Sequence, residues 1–97
     1  ERAGSLADFR IFETVQFQKD LKQIARSGMP KLVNKLHDYV YPQLRSSPAT
    51  GPNIKRLKGP YSDVWRYRIG AWRFFYSIDE KRRVVSMVAA EHRSRAY

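Results

Sequence analysis

The spacing of apolar residues along this chain changes from a helical period to a strand period, and that change predicts its architecture. Phe9-Arg-Ile-Phe-Glu13 is short, aromatic and β-branched, which reads as an opening strand. Phe17, Leu21, Ile24 and Ala25 then recur at i, i+4, i+7 and i+8, with Lys19, Asp20, Lys22 and Gln23 on the opposite side. This is the stripe of an amphipathic helix, with Thr14 placed to cap its start and Gly28 to end it. Pro30 suits the first turn of a second helix, whose stripe is Val33, Leu36, Val40 and Leu44. Pro42 lacks an N–H and crowds the turn before it, so a kink or break is expected near Tyr41-Pro42. Residues 46–60, punctuated by Pro48, Gly51, Pro52, Gly59 and Pro60, read as a loop.

Beyond that loop the period is two. In Val64–Ile69, Trp65, Tyr67 and Ile69 alternate with Arg66 and Arg68. Gly70-Ala71 turns the chain, and Trp72, Phe74, Tyr76 and Ile78 then alternate with Arg73, Phe75 and Ser77. After a polar turn from Asp79 to Arg83, Val84–Ala90 forms a last strand. The expected fold is α+β: a two-helix hairpin on one face of a four-stranded, mainly antiparallel sheet, with the first strand beside the last. The element order is β-α-α-β-β-β. Residues 8–97 form one domain, and residues 1–7 read as a flexible N-terminal segment.

Composition agrees with a folded chain. The sequence has 97 residues and is 42% hydrophobic, enough for one core at a length that buries roughly 60–70% of the unfolded surface. There is no cysteine, which excludes disulfides and thiolate metal sites and fits a reducing, cytoplasmic setting. No apolar run approaches the roughly 20 residues of a membrane span, and no signal-peptide pattern is present.

Charge changes the picture more. The formal net charge is +10, and from Lys55 onward eleven Lys/Arg face four acids, so +7 of that total lies there. The partner is expected to be anionic, nucleic acid before an acidic protein. Lys81-Arg82-Arg83 in a hairpin turn reads as solvated charge, and His37 as a surface histidine. Arg66, Arg68 and Arg73 differ, because side chains on one face of adjacent strands cluster and repel without an anion between them. The planar guanidinium also matches phosphate oxygens in bidentate fashion.

The tail Glu91-His92-Arg93-Ser94-Arg95-Ala96-Tyr97 adds groups that move protons. RNA can be cut without a metal if one group deprotonates the 2′-OH, another protonates the leaving 5′-oxygen, and cations stabilise pentacoordinate phosphorus. His92 and Tyr97 supply acid–base candidates, and Arg93 and Arg95 can lower the phenol's pKa. No metal-ligand spacing or nucleotide-binding loop is present, so neither metal nor cofactor is expected.

Three stretches carry a resemblance: Lys55-Arg56-Leu57-Lys58-Gly59, Trp65–Asp79, and His92-Arg93 with the terminal Tyr97. Together with Asp38–Leu44 and the element order, they resemble the RelE/ParE superfamily of toxin–antitoxin modules over residues 9–97. The RelE-like resemblance implies a ribosome-dependent mRNA endonuclease, with ribosome, mRNA and a cognate antitoxin as partners. By position it implies Lys55, Arg56, Arg66, Arg68 and Arg95 as RNA-binding. It implies Lys58, Arg73, His92, Arg93 and Tyr97 as catalytic: Tyr97 as base or stacking group, His92 or Arg93 as acid, and Lys58, Arg73 and Arg93 around the phosphorane. The ParE-like branch implies instead an inhibitor of DNA gyrase without nuclease activity.

Overall fold

The computed structural model describes residues 8–61 and 63–95. The expected flexible segment 1–7 and the proposed catalytic Tyr97 both lie outside the described residues. Strand β1 (Arg10–Glu13) ends at Thr14, where the chain turns into helix α1 (Val15–Arg26). The Thr14 hydroxyl accepts the Phe17 N–H at 3.1 Å and donates to the Val88 carbonyl at 3.2 Å, so one side chain caps the helix and fastens it to the sheet. The helix buries Phe17, Leu21 and Ile24, and Gly28 follows its end at φ 92°.

The second helical segment runs through α2 (Pro30–Lys35), a π-turn (Leu36–Val40) and α3 (Tyr41–Ser46). The irregularity expected near Tyr41-Pro42 takes the form of the π-turn, and the chain continues as a helix through Pro42. The Tyr41 N–H reaches back to the Leu36 carbonyl, and this wider turn accommodates a proline ring that would crowd an ordinary α-turn. The extra residue also shifts the buried stripe. Leu32, Leu36, Val40, Tyr41 and Leu44 are buried, while the expected Val33 lies only at the margin.

Five strands, not four, form one sheet in the order β1-β5-β4-β3-β2. The additional strand is β2 (Ile54–Arg56), a three-residue edge segment antiparallel to β3 (Trp65–Ile69) inside the expected loop. Strands β4 (Trp72–Asp79) and β5 (Val84–His92) continue the meander, and β1 joins β5 in parallel, placing the first strand beside the last as expected. Gly70 takes φ 58° in the two-residue turn between Ile69 and Trp72, a sign that a β-carbon disfavours.

A bulge sets the phase of β5. Phe75 pairs with Ala89 and Tyr76 with Met87, so Val88 is left over between them. Without this extra residue, Met87 and Ala90 would face opposite sides; with it, both are buried under the helices. Asp20 of α1 secures the same stretch by accepting the Ala90 N–H at 2.9 Å.

Phe17 meets Phe74 edge-on at 6.2 Å in the centre of the core. Three phenols bring hydroxyls into it, each with a partner. Tyr76 donates to the Pro48 carbonyl at 2.7 Å, Tyr67 to Gln43 Oε1 at 2.8 Å, and Tyr41 to Glu13 Oε2 at 2.5 Å. Among the described residues no helix is long and apolar enough to cross a membrane.

Tyr76→Phe strands a buried carbonyl and should cost about 1–3 kcal/mol of unfolding free energy, measured by urea titration. A change within experimental error would mean that solvent reaches Pro48. Burial also pushes the Tyr41, Tyr67 and Tyr76 phenols up from their ordinary value. Their contribution to stability is therefore complete below about pH 10 and is lost as pH rises toward the folded-state values. Tyrosinate absorbance from these three should appear together with loss of circular dichroism, not before it.

Candidate phosphate-binding site

On the face of the sheet away from the helices, strand pairing brings arginines together. Arg68 lies directly opposite Arg73 across the β3–β4 hairpin, and Arg66 lies opposite Phe75. At the far end of β5 the Arg93 N–H donates to the Ala71 carbonyl at 2.7 Å, which ties the start of the tail to the hairpin turn. The result is a concavity of about 360 Å³ lined by Arg66, Arg68, Gly70, Ala71, Arg73, Arg93 and Ser94. Four of its seven lining residues are cationic and none is acidic.

The site carries an internal cost. Arg66 Nε and Arg73 Nε and Nη2 are buried without a hydrogen-bond partner. Among the described residues, no carboxylate forms an ion pair with Arg66, Arg68, Arg73 or Arg93. Burial, and then the neighbouring Arg68 and Arg73 charges, lower the Arg66 pKa below the usual guanidinium value. An unsatisfied, self-repelling group of donors is relieved by an anion with several acceptor oxygens, and a phosphate offers that geometry. Among the described residues no cluster of three or more His, Cys, Asp or Glu is available to hold a metal.

The other expected residues distribute unevenly. Lys55 is opposite Arg66 on β2 and extends the positive face to the sheet edge. Arg56 is opposite Trp65, with its guanidinium carbon 5.7 Å from the indole centroid, so it is placed on the other side from Arg66 and Arg68. Lys58 is exposed in the connection after β2 and does not line the concavity. Arg95 belongs to the 3-10 turn Arg93–Arg95.

His92 departs from expectation most clearly. Strand β5 runs on through His92, so the pleat sends its ring to the helix side, edge-on to Trp72 at 5.2 Å. It lines a groove with Asp20 and Gln23 of α1, away from the arginines. Its Nδ1 accepts the Ser94 N–H at 3.2 Å and lies 2.8 Å from the Ser94 hydroxyl, so the proton of the neutral ring is on Nε2. Arg93, one residue later, is the tail residue that joins the cluster. His37 is an exposed surface histidine, as expected, with its Nε2 3.4 Å from Glu13 Oε2. The reading of Arg83 changes: it is not simply solvated, because its guanidinium carbon lies 3.9 Å from the Phe9 ring centroid.

The family model for the ParE toxin of the parDE type II toxin–antitoxin system matches residues 11–97. The chain belongs to this family. It is a toxin of a type II toxin–antitoxin module, and solved structures show how widely this ParE-family fold is shared. It is similar to the RelBE2 toxin–antitoxin complex of Mycobacterium tuberculosis, with 19% identity and a TM-score of 0.74, over 92% of this chain and 95% of that one. It is similar to the YoeB/ParE toxin of Agrobacterium tumefaciens, with 20% identity and a TM-score of 0.71, over 87% and 98%. The archaeal RelE–RelB complex of Pyrococcus horikoshii matches with 22% identity and a TM-score of 0.67, over 92% and 99%. No curated protein matches the sequence.

Arg73→Met removes two unpartnered buried donors and one like charge, and should raise stability by about 1–2 kcal/mol at low salt. Added inorganic phosphate should raise the melting temperature of the native protein and leave that of the variant unmoved. Differential scanning calorimetry checks both effects, and equal responses to phosphate would place the anion elsewhere.

Proposed function

We propose that this ParE-family toxin is a ribosome-dependent mRNA endonuclease acting in the cytoplasm. The observation that carries this reading is the convergence of Arg66, Arg68, Arg73 and Arg93 on one concavity, with buried N–H groups left for a ligand. In the proposed reaction the RNA 2′-oxygen loses its proton to a base and attacks the adjacent phosphorus. The bond to the 5′-oxygen breaks, that oxygen takes a proton from solvent water as it leaves, and a 2′,3′-cyclic phosphate remains. Negative charge grows on the non-bridging oxygens, and fixed guanidinium groups stabilise it without reorganisation.

Arg73, Arg66 and Arg68 hold the phosphorane, and Lys55 tracks the backbone beyond it. Arg93 directs an N–H to the leaving oxygen. Tyr97 serves as base or stacking group, as the family resemblance implies. His92 acts through Ser94 on the turn that carries Arg93. Lys58, Arg56 and Arg95 contribute charge to ribosome or RNA contacts outside the concavity. An antitoxin with an acidic or amphipathic segment covers the basic face. Support for that partner comes from the toxin–antitoxin complexes among the similar structures.

A second reading, inhibition of DNA gyrase, is favoured by two observations. The matching family model is that of ParE, and the His92 ring faces away from the arginines. Induced expression followed by primer extension on a translated message, beside a gyrase supercoiling assay, separates the two. Translation-dependent cuts within codons support the nuclease, whereas intact message with blocked supercoiling supports the gyrase reading. Under the nuclease reading, Arg73→Ala and Tyr97→Phe each relieve growth arrest while the protein remains folded. Full toxicity in both variants would overturn the assignment.

A further inference from the structure

Phe75 is the one large aromatic residue of β4 on the open face of the sheet. Its flanking residues Phe74 and Tyr76 are fully buried on the other side, whereas Phe75 remains partly exposed. Its neighbours on that face are of two kinds. Arg66 is directly across on β3, and Arg73 is two residues back along β4, with its guanidinium carbon 5.9 Å from the ring centroid. On the other side Ala89 is directly across on β5, with the exposed bulge residue Val88 beside it and Glu91 two residues on, opposite Arg73; Ser77 follows two residues along β4, itself opposite Ser86. The ring is thus bordered by cations toward the arginine concavity and by short aliphatic and hydroxymethyl groups away from it, with Glu91 at the corner next to Arg73.

A phenyl ring gains nothing from solvent here, and the core has no use for it on this face. A flat π surface beside arginines on an open sheet suits single-stranded nucleic acid. Bases of any identity stack on an aromatic face while the backbone follows positive charge. Side chains two residues apart on a strand stand about 7 Å apart, which one nucleotide spans from its phosphate to its base. With Arg73 over the ring at 5.9 Å, a base stacks on the exposed part of the ring with the guanidinium at its edge.

We propose that Phe75 is a stacking platform for an unpaired nucleobase whose phosphate is held by Arg66 and Arg73, so that the open sheet face binds single-stranded RNA by base as well as by charge. This deepens the nuclease reading and rests on it for the identity of the substrate as RNA. Because every base has a π face, the platform positions the strand without selecting its sequence.

The test compares two short ribo-oligomers blocked by 2′-O-methylation, an oligoadenylate and the same backbone without bases. Fluorescence anisotropy measures their binding to the full chain at fixed salt. The native protein should bind the base-bearing oligomer roughly 5- to 100-fold more tightly than the abasic one. Phe75→Leu retains an apolar side chain but lacks the π face, and should bind both with the abasic affinity. Phe75→Tyr should restore the preference. Arg73→Ala should weaken binding to both oligomers, and thermal melting confirms that each variant is folded. Retention of the base preference in Phe75→Leu overturns the proposal, as does a native protein that shows no preference or binds neither oligomer. Base-dependent binding without any translation-dependent cleavage would sink the enzymatic reading alone.

Discussion

Arg68 and Arg73 face each other across a two-residue hairpin, and the rest of the molecule has to make that pairing tolerable. The same register that opposes them also puts Tyr67 and Phe74 side by side on the other face, where both are buried. Cross-strand aromatic burial offsets the repulsion of the guanidinium groups, because one set of backbone hydrogen bonds enforces both. Neither face can slip without the other, since a shift of one residue would carry the arginines into the core.

This coupling explains why the charge cluster is concave and unsatisfied at once. A solvated fan of arginines would splay outward, each with its own water shell. Here the Arg93 N–H donates to the Ala71 carbonyl and holds the tail against the hairpin turn, and buried nitrogens of Arg66 and Arg73 are left without a hydrogen-bond partner although Glu91 lies opposite Arg73 on β5. Such a site stores unfavourable interaction in the unliganded protein and releases it when an anion arrives. A functional site commonly sits where local rules are broken at a cost to stability. An antitoxin segment that brings carboxylates to this face would gain from the same stored repulsion.

Much of this was legible in the chain because period-two alternation is a direct statement about faces. Trp65-Arg66-Tyr67-Arg68 and Arg73-Phe74-Phe75-Tyr76 assign each side chain to one side, and the structure keeps that assignment. Three features were not legible, for separate reasons. Strand β2 is only Ile54–Arg56, too short to show alternation amid prolines and glycines, and it forms because β3 offers an edge. The π-turn arises from a contest between Pro42 and continued burial of Val40 and Tyr41, in which packing outweighs the expected break. His92 was misplaced because its side depends on a bulge at Val88 and on continuation of β5 two residues past Ala90. A bulge leaves no local mark in an apolar run such as Val84–Ala90.

The strand-end pairs Trp72-Arg73 and His92-Arg93 show how one backbone serves two purposes. In each pair the first residue turns toward the helices, and the second lines the arginine concavity. Trp72 and His92 are paired across β4 and β5 and meet edge-on, which anchors the end of β5 from the helix side. His92 then holds the next turn through the Ser94 N–H, so the backbone leaving β5 has a defined path where Arg93 emerges. The imidazole therefore shapes the arginine concavity from behind the sheet. Its importance to the toxin need not involve a proton passed to substrate. A histidine beside an arginine in sequence can be inseparable from it in function while the two side chains face different solvents.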